Sequence, residues 1–452
     1  MAAASEERRN QGLSALLEQA GYSETKFAHA VNRLGAKAGL ALNYRQPSVS
    51  QWKQGAQPKP QVRAVILAVL ERRLGRPVTY TEAGLQLPSD HRGGSERDTV
   101  ESLINLGKDD MNPSRRKLLA AGLYSAALTV PAFSALTSTA EADDRDRLSR
   151  PTGRIGHGEV ETVRRMTDKI ADILDDLGGG HARPMAAAFL VNTVAGYLRA
   201  AASDEVHRDM LSAASDLTYL TGWMAMYERA HGLGQTYYLR ALDLARESGD
   251  QLTYCRTLRG MSLQASHLRY ERKALEYADS AAEAAPQAGP RLVAFLRGQQ
   301  AHASAMVGDR RGAILRLKEA EAALSRADSR RDAVGGYDRA AFLFHVSHVH
   351  YESREFAASI KALRSSIRVM SPSERQGRLH AHAVLAQRQY AYGHVEEACA
   401  SWGRFLDDYE VLSTARGDEH FDTLRSLGTP RTSPVVRDLR DRVHAVAQLK
   451  AA

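Results

Sequence analysis

Histidines cluster at His345, His348 and His350 and again at His380 and His382, and His345 and His348 stand three apart. That spacing puts two imidazoles on one helix face, where they could share a metal ion. No acid or cysteine accompanies them at matching spacing, so they read as groove or core histidines and no metal is expected. The two cysteines, Cys255 and Cys399, are too far apart in sequence for a zinc motif or a disulfide framework, which fits a reducing cytosol. A phosphate-cradling GxxxxGK, a GxSxG elbow and a GxGxxG turn after a strand are all missing. The sequence therefore points away from an enzyme, with no catalytic residues and no cofactor.

Recognition chemistry is easier to locate. Gln46, Ser48, Gln51 and Gln54 fall on one face of a short helical stretch, Gln46 to Gln54, and carry amide or hydroxyl groups that can reach base edges in a major groove. On the opposite face Val49 and Trp52 stand three apart, Pro47 is tolerated in a first turn, and Gly55 stops the helix. Lys53 within the stretch, and Arg45, Lys59 and Arg63 flanking it, suit phosphate contacts. From Lys26 through Arg76 there are ten basic residues against one acid, Glu71, a surplus of nine; the whole chain of 452 residues carries +8, leaving about −1 elsewhere. A basic head on a near-neutral body implies a nucleic-acid module joined to something that binds other partners.

The elements that must position these side chains follow from periodicity. Leu13, Leu16 and Leu17 mark a supporting helix. Thr25 can cap a helix with Phe27, Ala28, Val31 and Leu34 inward, ending at Gly35 and Gly39. After Pro60, the run Val62, Val65, Ile66, Val69, Leu70 and Leu74 is another amphipathic helix, and Thr79 to Leu85 reads as one more short helix, capped at Thr81. The stretch QPSVSQWKQGAQPKP, Gln46 to Pro60, resembles the recognition helix and following turn of the XRE (Cro/repressor-like) helix-turn-helix family, over roughly residues 12 to 85. The connection from Gly35 to Arg45 is longer than that family's tight turn. The resemblance implies that Gln46, Ser48, Gln51 and Gln54 approach bases of double-stranded DNA, and that two copies read two half-sites as a homodimer.

Residues 89–158 read as a linker, with about one helical turn around Val100 to Leu106. Within it, residues 114–137 pair Arg115 and Arg116 with an apolar run, the grammar of a twin-arginine export signal in an internal position. Tyr124, Ser125, Thr129, Pro131 and Ser134 interrupt the run, which favours a helix buried against the C-terminal part or a dimer partner over membrane association or export.

From about Glu159 the pattern repeats. Ala274, Ala313, Ala358 and Ala398 open comparable helices at steps of 39, 45 and 40 residues, each preceded by a helix of similar length, and residues 216–246 form an earlier pair. Glu159 to Leu177 and Met185 to Ala202, separated by GGGHARP, cap one end, and Pro434 to Leu449 caps the other. These hairpins resemble tetratricopeptide repeats, which implies an α-solenoid with a concave recognition wall. Asn192, Gln264, Gln299, His302, His348 and Arg388 lie on helices that would line it, for a peptide, small-molecule or protein effector.

The expected fold is thus all-α: a helix-turn-helix domain at 1–88, a linker at 89–158 and a TPR-like solenoid at 159–452. The arrangement resembles a group of actinobacterial transcriptional regulators associated with sporulation and antibiotic production. The expected function is cytoplasmic, sequence-specific DNA binding governed by an effector on the solenoid. The alternative is a tetratricopeptide-type interaction scaffold, membrane-associated or not, without operator binding.

Overall fold

Apolar residues at three- and four-residue steps are realised as α-helix throughout. The computed structural model describes residues 10–37, 40, 42–74, 78–86, 99–112, 124–125, 133, 153–284, 288–327, 337–427 and 433–451. Among these the fold is all-α, and the β-type pairing is confined to an isolated bridge between Arg154 and Ala201. The chain divides into two compact units, one of residues 1–132 with 230–236, the other of residues 133–229 with 237–452. No helix among the described residues is long and apolar enough to cross a membrane.

The first unit contains α1 (Gln11–Gln19), α2 (Glu24–Lys37), α3 (Gln46–Lys53), α4 (Pro60–Leu74) and α5 (Thr99–Met111). Leu13, Leu16 and Leu17 of α1, Phe27, Val31 and Leu34 of α2, Val49 and Trp52 of α3 and Val62, Ile66 and Leu70 of α4 converge in one buried cluster. Burying these side chains against each other stabilises helices that are each too short to persist alone. Asn10 clips the unit shut: its Oδ1 accepts from Leu13 N at 2.9 Å, and its Nδ2 donates to the carbonyls of Ala83 and Gly84 at 2.9 and 3.0 Å.

Three local expectations change. Helix α2 begins at Glu24 with the Ser23 hydroxyl accepting from Lys26 N (3.3 Å), so Ser23 rather than Thr25 caps it. Residues 79–85 form turns in place of a helix, with Thr79 Oγ1 accepting from Glu82 N. The stretch expected to hold one helical turn is the thirteen-residue α5, whose Val100, Leu103, Ile104 and Leu106 are buried and so favour the longer helix. The expected apolar helix at 114–137 lies outside the described residues except at Tyr124, Ser125 and Phe133. Of these, Tyr124 is buried, and Ser125 exchanges two hydrogen bonds with the Gln235 side-chain amide, at 2.9 and 2.8 Å.

The second unit is a solenoid-like body. Helix α6 (His157–Leu177) and the continuous α7 (Gly179–Phe189), π turn Leu190–Val194 and α8 (Ala195–Arg199) precede α9 (Asp204–Tyr227) and α10 (His231–Ser248), of which residues 231–236 are counted with the first unit. Four hairpins follow: α11 (Gln251–His267) with α12 (Glu271–Glu283), α13 (Pro290–Met306) with α14 (Arg310–Leu324), α15 (Arg339–Glu352) with α16 (Phe356–Val369), and α17 (Arg375–Ala391) with α18 (Val395–Tyr409). Helices α19 (Ala415–Ser426) and α20 (Pro434–Ala451) complete it. The GGGHARP stretch expected as a spacer is helical from Gly179, with Pro184 inside the helix.

The array curls until its far part meets its beginning. Ser413 N donates to Leu177 O (2.9 Å), Gly180 N donates to Ser413 O (3.0 Å), and Ala415 N donates to Glu228 Oε2 (3.2 Å). Gly178 sits at φ 90, and a Cβ there would overlap the Ser413 carbonyl, so only glycine allows this contact.

Candidate nucleic-acid interface and effector groove

Helix α3 is held by its inner face and by the connection that precedes it. Val49 and Trp52 are buried, and Tyr44 packs edge-on against Trp52 with centroids 5.0 Å apart. The long connection is pinned by Asn32 of α2, whose Nδ2 donates to Tyr44 O at 2.7 Å while its Oδ1 accepts from Tyr44 N at 2.8 Å. Both backbone groups of one residue are satisfied by one amide, fixing α3 without a tight turn. Gly35 allows the same connection to lie close, since a Cβ there would overlap Leu42.

On the outward face Arg45, Gln46, Gln51, Gln54 and Lys59 are exposed and Ser48 is half-buried. Glu24 of α2, just outside the basic stretch, reaches into this face. Gln46 Nε2 donates to its Oε2 at 2.6 Å and Lys53 Nζ to its Oε1 at 2.8 Å. The hydrogen bond from Lys53 holds the Glu24 carboxyl below its usual range, helped by Gln46 and opposed by partial burial. Lys53 and Gln46 are therefore engaged within the protein, while Gln51, Gln54, Arg45 and Lys59 keep their outward positions.

Arg63 requires a correction: it is 8% exposed, donating to the carbonyls of Pro58 (2.8 Å) and Gln86 (3.0 Å). A guanidinium committed to two backbone carbonyls ties α4 to the end of the core and has no reach to a phosphate.

A family model described as the SP15 N-terminal domain matches residues 13–86. The matched span takes in α1 to α4 and the turns that Asn10 clips, so the SP15-like segment coincides with the buried cluster just described. It covers less than a fifth of the chain and leaves the body outside it. A comparison with curated proteins returns no match to this chain.

In the second unit, His302, His348 and Arg388 come together. The rings of His302 and His348 lie 4.4 Å apart, and Arg388 donates to His348 Nδ1 (3.2 Å), to Ser359 Oγ (2.8 Å) and to Ser347 Oγ, with its guanidinium 4.4 Å from the Tyr351 ring centroid. Two other expected groove residues are corrected. Gln264 and Gln299 are fully buried, and Gln299 donates to the Ser262 and Ser266 hydroxyls at 2.9 and 3.3 Å, bonding α13 to α11. Asn192 is exposed on the π turn, Leu190–Val194.

Further imidazoles extend the group. Arg416 donates to His380 Nε2 (2.6 Å) and His267 Nε2 (3.1 Å), and His380 Nδ1 lies 2.9 Å from His420 Nε2. Because arginine only donates, His380 must accept at Nε2 and carry its proton on Nδ1, which then donates to His420. Burial pushes His302 down to about 4 and His420 to about 3, and holds His345, His348 and His380 well below the ordinary histidine range; neighbouring arginines add to the effect in each, imidazoles add to it at His345, His348 and His380, and Glu352 partly opposes it at His302. Arg388, lowered to about 10 by burial, stays charged at neutral pH. Glu352 pairs with Arg269 (2.7 Å) and Glu419 with Arg229 (3.6 Å), whereas Arg259, Arg388 and Arg416 have no carboxylate within ion-pair distance among the described residues.

His267, Arg416 and His420 went unforeseen because Arg416 and His420, which share α19, lie about 150 residues beyond His267 and meet it only once the array has curled. Their isolated positions carry no motif. No group of histidine, cysteine or acid side chains among the described residues has the arrangement to hold a metal ion.

Proposed function

We propose that the protein is a sequence-specific DNA-binding transcriptional regulator that works in the cytoplasm, with α3 entering the major groove and the helical body taking an effector or partner and mediating dimerisation. The observation that carries this reading is the division of α3: Val49 and Trp52 are sealed in the core, while Gln51, Gln54 and the flanking Arg45 and Lys59 face outward from a strongly basic segment. Amides at this spacing suit paired contacts to base edges, and the cations suit phosphates. The body's inward-facing arginines and neutral imidazoles support a ligand-binding role for it. A ligand with different affinity for two body geometries would shift the spacing of the two reading helices in a dimer.

Bound fragments recovered by genome-wide mapping supply the operator for the test. Gln51→Ala is expected to reduce the preference for operator over random DNA about 5- to 100-fold, and Lys59→Ala to weaken binding to both equally, lowering the salt slope by about one. Fluorescence anisotropy over a salt series measures both. Equal affinity of the unmodified protein for operator and random DNA, with both substitutions silent, defeats the proposal.

A further inference from the structure

Arg259 stands in the middle of α11 and is 3% exposed. Its guanidinium lies 3.7 Å from the Phe295 ring centroid and 5.2 Å from that of Trp223, so aromatic faces cover it. Its Nε and Nη2 are both shut off from solvent and have no hydrogen-bond partner among the described residues. Those two nitrogens make up one edge of the guanidinium, the edge whose parallel N–H bonds match the two oxygens of a carboxylate. A guanidinium keeps its charge when buried, so this side chain is a cation without a counter-ion among the described residues.

The surroundings look built for this placement. A Cβ at Gly260 would crowd Tyr219 and Tyr238, and one at Gly298 would overlap the Tyr337 hydroxyl and His345 Nδ1, so two glycines let aromatic and imidazole rings close in beside Arg259. The nearby acids are taken: Asp216 pairs with Arg256 at 2.6 Å and Glu352 with Arg269. Trp223 and Phe295 are only half-buried, so displacing one ring opens the edge to the groove. Beyond Trp223, Tyr227 follows at 5.2 Å between centroids, and the Arg416 guanidinium lies 4.7 Å from the Tyr227 ring.

We propose that the Nε–Nη2 edge of Arg259 receives the carboxylate of a small, flat organic acid whose apolar body lies against Trp223 and Phe295. Arg416, past the same aromatic row, adds to the positive field that attracts it. This names the effector chemistry of the body and so rests on the effector half of the proposed function, but not on DNA binding.

The test uses the full chain without DNA and takes benzoate as the probe, against benzamide and chloride at equal ionic strength. Benzoate at about tenfold over its Kd is expected to raise the thermal midpoint of the body by roughly 2–4 °C, with neither control doing so. Arg259→Met should abolish that response and leave the ligand-free protein at least as stable as the parent, because it removes a buried charge that has no carboxylate partner among the described residues. A benzoate shift no larger than that of the controls, a shift that survives in Arg259→Met, or a ligand-free Arg259→Met that unfolds well below the parent or fails to fold each overturns the site. The last result would make Arg259 a structural cation. Operator affinity measured on the same preparations reports separately on the DNA reading.

Discussion

Glu24 decides how much of the outward face of α3 is available. Its carboxylate binds Lys53 and Gln46 at once, placing a negative charge beside residues suited to a polyanion. Glu24→Gln removes that charge and loosens both side chains. We expect affinity for all DNA to rise, the salt slope to steepen by about 0.9 as Lys53 gains a phosphate, and discrimination between operator and random DNA to fall. Anisotropy titrations at several salt concentrations read all three, and an unchanged slope would mean that Lys53 stays away from phosphate even when free. At this scale the sequence was legible where one helix turn settles the matter: Val49 and Trp52 inward, Gln51 and Gln54 outward. It was not legible for Arg63 or Lys53. The partners of Arg63 are carbonyls at Pro58 and Gln86, and that of Lys53 is a carboxylate 29 positions away, so their roles follow from the folded core and not from local spacing.

Each repeating hairpin of the body turns at the same backbone device. A residue with positive φ ends the first helix at Arg229 (φ 60), Arg269 (φ 61), Gly308 (φ 86), Arg354 (φ 61) and Gly393 (φ 89). A side chain in this region costs about 1–2 kcal/mol, which glycine avoids at some entropic expense in the unfolded chain. Two substitutions with opposite signs follow. Gly308→Ala should destabilise the body by about 1 kcal/mol, whereas Arg354→Gly, at an exposed position with no ion pair among the described residues, should stabilise it by about 0.5–1 kcal/mol. Urea unfolding of the two variants measures both; the same sign for both would show that the turns are not the strained element. The hairpins were legible because a 3.6-residue period is local and the 39-, 45- and 40-residue steps are visible by inspection. Helix α19 was missed because its stretch, ARGDEHFDTLRS, is mostly polar and buries only Gly417, His420, Phe421 and Leu424. The meeting of Ser413 with Leu177 and Gly180 was missed for another reason: it depends on small rotations accumulated over the whole array, which no window of sequence contains.

The curled body as a whole encloses imidazoles that burial keeps neutral, and this sets its response to acid. His302, His345, His348, His380, His382 and His420 all have native pKa values depressed below the unfolded value of about 6.5. Above that value neither state binds the proton, and stability is complete. Below it the unfolded chain takes up protons that the native wall refuses, so stability falls with pH until the native pKa is reached, near 4 for His302 and near 3 for His420. For the most enclosed, His302, His345 and His420, each loss approaches about 1.4 kcal/mol per pH unit. Asp175 and Glu228, both raised to about 7 chiefly by burial, act the other way, because the native state binds their protons first and gains stability as pH falls below 7. The carboxyls of Asp168, Asp216 and Asp243 are raised by burial too and act in the same sense, but the six histidines outnumber these five acids, so the thermal midpoint of the body should be highest near neutrality and drop by a few degrees between pH 7 and pH 5. The drop should be steep and not gradual. Arg416 donates to both His380 and His267, and Arg388 donates to His348, so charging any of these rings breaks its bond to a cation and sets two positive charges against each other. Once one such contact opens, water reaches its neighbours and the next proton binds more easily. Calorimetry from pH 7.5 to 4.5 tests this, with His302→Gln expected to flatten the slope; a midpoint that stays level down to pH 5 would show that the wall already hydrates its imidazoles.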